Sequence, residues 1–123
     1  MELIFGGAYQ GKTQYAAQKY HLALSEIFTC DGLTLSKNAR CICHLERFAR
    51  ACCEAGLDAR EEFSRQAPAA VCLIADDISC GIVPVDYGER AWREMSGRLL
   101  SCLAAQAGSV TRVFCGLPME LKR

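Results

Sequence analysis

The chain has 123 residues, of which 51% are hydrophobic and 23% are charged, and its 14 Lys and Arg residues balance 14 Asp and Glu residues. This length and composition predict one globular domain over residues 1–123 and exclude an intrinsically disordered chain. A net charge of zero provides no positive field, which excludes a protein that works by coating nucleic acid or an anionic membrane.

The N-terminus and the cysteines both indicate a cytoplasmic protein. The first residues have no basic region and only three consecutive apolar residues, so no signal peptide is predicted. No apolar run approaches the roughly 18 residues that a membrane-spanning helix needs. The nine cysteines contain no C-x-x-C pair, and we interpret them as structural thiols of a reducing compartment.

The predicted elements begin with a strand. Residues 2–5 are a short apolar run that stops at two glycines, which is typical of a buried strand. The next candidates are a helix within 11–23 and a strand over 26–30. They are followed by helices over 37–56 and 58–65, a strand over 70–75, a loop at 81–84, a helix over 87–107 and a strand over 110–115.

This alternation predicts an α/β fold. Strands separated by helices form mostly parallel sheets with helices on both faces. Residues 70–75, Ala-Val-Cys-Leu-Ile-Ala, are apolar on both faces, as expected of a central parallel strand. The long segment 37–56 carries apolar residues at helical spacing, from Ile42 to Cys52.

The strongest chemical motif lies between the first predicted strand and the first predicted helix. Residues 6–13 match the phosphate-binding loop (P-loop) pattern G-x-x-x-x-G-K-[ST]. Its backbone amides and lysine would hold phosphate oxygens, and its threonine hydroxyl would face Mg²⁺. The alternative is a chance glycine-rich turn. The candidate nucleotide-binding residues are Gly6, Gly7, Ala8, Tyr9, Gln10, Gly11, Lys12 and Thr13.

Two carboxylates follow the central strand. Asp76 and Asp77 come directly after the apolar run, at the strand end where open α/β sheets bind ligands. We expect Asp76, Asp77 and Thr13 to converge on one Mg²⁺, with one carboxylate orienting the attacking hydroxyl or accepting its proton. The alternative is a local Asx turn or helix cap.

Several segments resemble one enzyme family. Residues 6–13 resemble the start of the bifunctional adenosylcobinamide kinase / adenosylcobinamide-phosphate guanylyltransferase family. Residues 76–84, Asp-Asp-Ile-Ser-Cys-Gly-Ile-Val-Pro, resemble its N-E-V-G-x-G-I-V-P segment, and 93–100 resemble its R-D-x-x-G-R-x-N helix. Residues 110–122 are similar to its final strand and closing L-K. The similarity is firm over 1–20 and 71–122.

The resemblance implies a RecA-like P-loop fold and a role in cobalamin biosynthesis. The family phosphorylates adenosylcobinamide and then transfers GMP from GTP, so ATP or GTP, Mg²⁺ and an adenosylcobinamide-like substrate are expected, as is a homo-oligomer. By position, Lys12 and Thr13 match the nucleotide-binding pair, Asp77 matches the strand-end Glu and Asp76 its Asn. Arg98 matches an arginine that would contact phosphate, although a solvated helix face also explains it.

The middle of the chain departs from the family. An acid-ended strand that normally precedes the N-E-V-G strand has no recognisable counterpart, and neither has its following helix. His44, four residues after Arg40, falls where the family carries its guanylylated histidine. The segment fits an amphipathic helix better, with His44 as a half-exposed helix residue fixed by Arg40 and Phe48, so we predict that guanylylation is lost before kinase chemistry.

Two further functions remain open at this point. A shortened paralogue would bind nucleotide without catalysis and act as a regulatory or scaffold subunit. A P-loop kinase for an unrelated small alcohol would keep the same motif.

Overall fold

The computed structural model describes residues 1–78 and 86–123, and strands and helices alternate along most of this length. The loop expected at 81–84 lies outside the described residues. In chain order the elements are β1 (Glu2–Gly6), α1 (Lys12–Tyr20), β2 (Ile27–Thr29), β3 (Cys41–Cys43), α2 (Leu45–Glu54), α3 (Ala59–Gln66), β4 (Cys72–Asp76), α4 (Tyr87–Gln106), β5 (Ser109–Phe114) and β6 (Leu117–Lys122).

The strands form one sheet in the order β2-β3-β4-β1-β5-β6. All neighbouring pairs are parallel except β5 and β6. The predicted mostly parallel α/β sheet is therefore confirmed. Because β4 lies beside β1 with Asp76 opposite Gly6, the end of the central strand and the start of the P-loop share one edge of the sheet.

Helices cover both faces, as predicted, but unequally. Leu3 of β1 packs in a core with α2, α3 and α4, and the next residue, Ile4, packs on the opposite face with Ala16 of α1. Successive side chains of a strand point to opposite faces, so each central strand contributes to both cores. Phe48 and Phe63 meet edge to face in the larger core, with ring centroids 6.5 Å apart.

The helix predicted over 37–56 is wrong in its first part. Residues Cys41–Cys43 form β3, and α2 begins only at Leu45. Between them His44 has a φ of 60°, a left-handed conformation that turns the chain from strand to helix. Ile42 still reaches the same core as α2, which explains why its spacing resembles a helical stripe.

This correction restores the strand that the sequence comparison failed to find. β3 and α2 precede β4 in the chain, and β3 pairs with β4. A strand followed by a helix therefore does precede β4 in this chain. The strand ends at His44 instead of an acid, which is why no counterpart was recognisable.

A second strand was missed at the C-terminal end of the chain. After β5, Cys115 and Gly116 have φ values of 51° and 76°, which form a two-residue hairpin turn. The chain then returns as β6, antiparallel to β5 and exposed along its whole length. The sheet consequently has six strands where the sequence predicted four.

A buried carboxylate closes the amino end of the sheet on the α1 face. Glu2 is 1% exposed, and its oxygens accept hydrogen bonds from Tyr15, Tyr20 and Thr111. The ammonium of Lys19 lies 3.0 Å from Oε1. Burial raises the pKa of Glu2, but bonds from Thr111 and Tyr20 and the Lys19 charge outweigh it and hold that pKa below its usual value.

The cysteines are free thiols wherever the structure describes them, which is everywhere except Cys80. Burial raises the pKa of Cys30 to about 12 and that of Cys52 to about 11, so these two are thiols at neutral pH. No helix within 1–78 or 86–123 is long and apolar enough to cross a membrane.

Candidate nucleotide site

The P-loop connects β1 to α1, in the predicted strand-loop-helix context. Two of its glycines are required by geometry. A Cβ on Gly6 would lie 2.4 Å from the carbonyl oxygen of Val113, so only glycine lets β1 approach β5 this closely. Gly11 has a φ of 90° and caps the N-terminus of α1, which directs backbone amides toward the loop.

Lys12 is turned into the loop and is 5% exposed. Its Nζ donates to the carbonyl oxygen of Gly7 at 2.6 Å and lies 2.8 Å from Oδ1 of Asp76. A buried ammonium needs such partners because the charge has lost its water. The strand-end acid and the P-loop lysine are therefore joined directly.

A cavity of about 310 Å³ borders this ion pair. The P-loop forms one side, and the ends of β3 and β4 with the start of α2 form the other. Its lining residues are Ala8, Tyr9, Gln10, Gly11, Lys12, Thr13, Gln14, Cys43, His44, Arg47, Ile74 and Asp76. Amides at a helix N-terminus and a lysine in one cavity suit a polyphosphate.

The two acids at the carboxyl end of β4 line different cavities, whereas the sequence predicts that both face one Mg²⁺. Asp76 borders the P-loop cavity, whereas Asp77 lines a separate cavity of about 470 Å³ with Leu3 and Phe5. The backbone N–H of Asp77 donates to Gly6 at 2.7 Å, so the chain is still extended there. Neighbouring residues of an extended chain face opposite sides of the sheet.

The site also contains a buried glutamate that the sequence analysis did not identify. Glu46, in the first turn of α2, is 5% exposed. Its Oε1 accepts the backbone N–H of Asp76 at 2.9 Å, and its Oε2 lies 2.9 Å from Nδ1 of His44. In the sequence, Glu46 appears only as an acid two residues after His44, inside a segment that fits an amphipathic helix.

Helix α4 holds Glu46 from behind. The indole N–H of Trp92 donates to the Glu46 carbonyl oxygen at 2.7 Å. The guanidinium of Arg50 stacks over the Trp92 ring, 4.7 Å from its centroid. These contacts fix the first turn of α2, and with it the Glu46 side chain.

His44 lies at the junction of β3 and α2, not within a helix, and this corrects the helical alternative. Its side chain is 32% exposed and borders the P-loop cavity. Arg40 does not fix it, since that guanidinium bonds Glu26 and the carbonyl oxygen of Tyr20. Phe48 lies in the core.

The remaining predicted residues have different positions. Tyr9 is fully exposed at the crest of the P-loop. Gln10 fastens the loop to the β5–β6 turn, because its Oε1 accepts the N–H of Cys115 at 2.6 Å and its carbonyl oxygen that of Gly116 at 2.8 Å. Arg98, on α4, lies 3.7 Å from Glu94 and lines cavities other than the P-loop cavity.

Comparison with known families agrees with this architecture. The sequence model described as cobinamide kinase / cobinamide phosphate guanyltransferase matches residues 23–121, about four-fifths of the chain. The chain belongs to this family. Membership confirms the P-loop NTPase fold and places the chain among the proteins that modify cobinamide with a nucleotide in cobalamin synthesis. Residues 6–13 precede the matched range, so the P-loop is independent support. A search of curated proteins gives no match.

Proposed function

We propose that this chain is a kinase that transfers the γ-phosphoryl group of ATP or GTP to the hydroxyl of an adenosylcobinamide-like alcohol. The observation that carries the proposal is the buried Lys12, held inside a complete P-loop and paired with Asp76. A cytoplasmic location and a homo-oligomer remain predictions from the sequence.

Nucleotide binding begins with an exchange of partners at Lys12. Its ammonium now contacts Asp76 and the Gly7 carbonyl oxygen. A polyphosphate in the cavity offers a stronger anion and accepts the loop amides as well. Lys12 would then bind the β- and γ-phosphates, while the Gly11 end of α1 faces their oxygens.

The residues at the cavity also fit Mg²⁺. Thr13 and Asp76 both line it, and their hydroxyl and carboxylate oxygens are the ligand type that Mg²⁺ prefers. When bound, the ion would neutralise charge on the transferring phosphoryl group. Asp76 replaces Asp77 in the proposed role of orienting the acceptor hydroxyl, because Asp77 lines the other cavity.

Guanylyl transfer remains the activity that we expect to be absent. The physical reason is now different, since His44 immediately follows β3 and its Nδ1 lies 2.9 Å from Glu46. His44 lines the P-loop cavity, but its backbone is fixed between β3 and α2, so it cannot move with the nucleotide as a histidine on a free loop could. GTP labelled at the α-phosphate should leave no covalent label, and a stoichiometric label lost in His44→Ala would contradict this.

Calorimetry with ATP and GTP in the presence of Mg²⁺ tests the binding step. Lys12→Ala should weaken binding about 30- to 150-fold, or about 2–3 kcal/mol, because it removes a charge-assisted phosphate contact. The matched control is Lys37→Ala, at an exposed lysine. If the unaltered protein binds neither nucleotide at millimolar concentration, the P-loop assignment is wrong.

Turnover with adenosylcobinamide separates the kinase from the alternative of a nucleotide-binding, inactive regulatory or scaffold subunit. Phosphorylated product that Lys12→Ala abolishes supports the kinase. Tight nucleotide binding with no product from adenosylcobinamide excludes this kinase and leaves the inactive subunit and a kinase for another small alcohol as alternatives.

A further inference from the structure

We propose that His44, Glu46 and Asp76 bind a first-row transition-metal dication at the edge of the P-loop cavity. Three different segments bring them together: the end of β3, the first turn of α2 and the end of β4. One imidazole nitrogen and one carboxylate oxygen from each acid lie within 4.8 Å of one another.

Each carboxylate is divided between a protein donor and the imidazole. Glu46 uses Oε1 to accept the Asp76 backbone N–H and turns Oε2 toward His44. Asp76 holds Lys12 with Oδ1, and its Oδ2 lies 4.0 Å from the same imidazole nitrogen. Donors on the outer oxygens orient metal ligands in known sites. The inner oxygens and Nδ1 thus form a convergent set, and an ion bound there leaves the outer contacts to the Asp76 N–H and to Lys12 in place.

The separations fit a metal ion. With metal–ligand bonds of about 2.0–2.2 Å, neighbouring ligands of an octahedral ion lie about 3 Å apart and opposite ligands about 4.3 Å apart. The distance from Nδ1 to Glu46 is 2.9 Å, and that to Asp76 is 4.0 Å. An ion bound at Nδ1 requires the imidazole tautomer that carries its proton on Nε2, and the two metal–ligand bonds then replace the hydrogen bond between Nδ1 and Oε2 of Glu46.

The donor set predicts which ion binds. Mg²⁺ prefers oxygen ligands, whereas an imidazole nitrogen with two carboxylates favours ions such as Co²⁺, Fe²⁺, Ni²⁺ or Zn²⁺. His44 and Asp76 line the P-loop cavity, so the remaining positions of the ion face the space where phosphate would lie. A role in transfer rests on the proposed function, but the metal site itself rests on these three side chains.

Cobalt binding to the metal-free protein, without nucleotide, tests the proposal. We expect one equivalent of Co²⁺ and a strongly shifted, solvent-exchangeable imidazole N–H resonance in the proton NMR spectrum. His44→Asn and Glu46→Gln should each weaken Co²⁺ binding at least about tenfold, and the former should remove the shifted resonance. His44→Asp makes all three ligand atoms oxygens, so it should lower the preference for Co²⁺ over Mg²⁺.

Matched controls use residues outside the cluster. His21→Asn alters an exposed histidine at the end of α1, and Glu54→Gln alters a glutamate of α2 that is 70% exposed. Neither should change Co²⁺ affinity. Urea unfolding of every variant verifies that the protein is folded.

Two results would overturn the proposal. One is no Co²⁺ binding at millimolar concentration by the folded protein. The other is binding that His44→Asn leaves unchanged, with the intense near-ultraviolet absorption of cobalt thiolates. Because nucleotide is absent, a protein that binds Co²⁺ but neither ATP nor GTP refutes the proposed function and leaves the metal site standing.

Discussion

On the face that α1 covers, each end of the sheet carries an ion pair between a carboxylate and a lysine. One pair is enclosed by protein, and the other borders a cavity. At the amino end, Glu2 and Lys19 form an ion pair that tyrosine and threonine hydroxyls enclose. At the carboxyl end, Lys12 and Asp76 form an ion pair that borders a cavity of about 310 Å³. The same acid and base types are therefore enclosed by protein at one end and border a cavity at the other, where the proposed function places the nucleotide.

The two carboxylates differ in how many of their oxygens are already held by protein donors. Both oxygens of Glu2 are used by protein groups, so this end has nothing left to offer a ligand. Asp76 has Oδ1 on Lys12, and its Oδ2 lies 4.0 Å from the nearest His44 nitrogen. A partly exposed carboxylate oxygen beside a cavity can bind an ion or a substrate.

The largest effect on stability is expected at the closed end. Glu2→Gln should lower the free energy of unfolding by about 3 kcal/mol, because one amide oxygen must satisfy donors that now share a carboxylate. Nucleotide affinity should not change. Urea unfolding measures the first quantity and calorimetry the second. The control Glu54→Gln, on the surface, should stay within about 0.5 kcal/mol, and an equal effect of both variants would contradict the comparison.

A smaller loss of unfolding free energy is expected from a substitution at Gly6, at the carboxyl end of β1. Gly6→Ala should cost about 2–3 kcal/mol of unfolding free energy, since its Cβ would meet the Val113 carbonyl oxygen at 2.4 Å. Gly7→Ala is the matched control, because its nearest neighbour is the Gln10 side chain at 3.6 Å. Urea unfolding compares the two variants. Equal stabilities would show that β1 and β5 can separate without cost.

Substitution of Trp92, which supports the carboxyl end of the sheet through Glu46, should lower the free energy of unfolding by a smaller amount. Trp92→Phe removes the hydrogen bond to the Glu46 carbonyl oxygen but keeps an aromatic ring under Arg50, so a loss of about 1 kcal/mol is expected. Tyr87→Phe changes an 85% exposed residue of the same helix and should have no effect. If chemical denaturation finds the two variants alike, the Trp92 contact does not hold α2.

The contribution of Glu2 to stability should depend on pH. The pKa of Glu2 is lowered in the folded protein, so its contribution to stability is complete above the ordinary glutamate pKa of about 4.3 and is lost as pH falls through the folded value. The stability gap between the unaltered protein and Glu2→Gln should therefore narrow below about pH 4. Unfolding curves from pH 7 to pH 3 measure it, and a gap independent of pH would show that the charge of Glu2 contributes nothing.

Much of the fold could be read from local patterns. The P-loop has fixed glycine, lysine and threonine spacing, and the long helix α4 and the Asp58 cap of α3 follow ordinary sequence signals. The missing elements had weak signals. β3 has three residues that also fit a helical stripe, and β6 contains a proline and is exposed throughout.

The sequence by itself determined that this chain has a P-loop motif and an acid-ended strand, because each is written in consecutive residues. Only the tertiary structure decided which acid borders the loop and pairs with Lys12. β4 is apolar on both faces, so its sequence does not tell which face α1 covers. Asp76 and Asp77 are consecutive, yet Asp76 lines the P-loop cavity and Asp77 lines another. The packing of β3 against β4 likewise brought His44 and Glu46 to Asp76, 30 residues away from Glu46 in the chain, a distance over which local patterns carry no information.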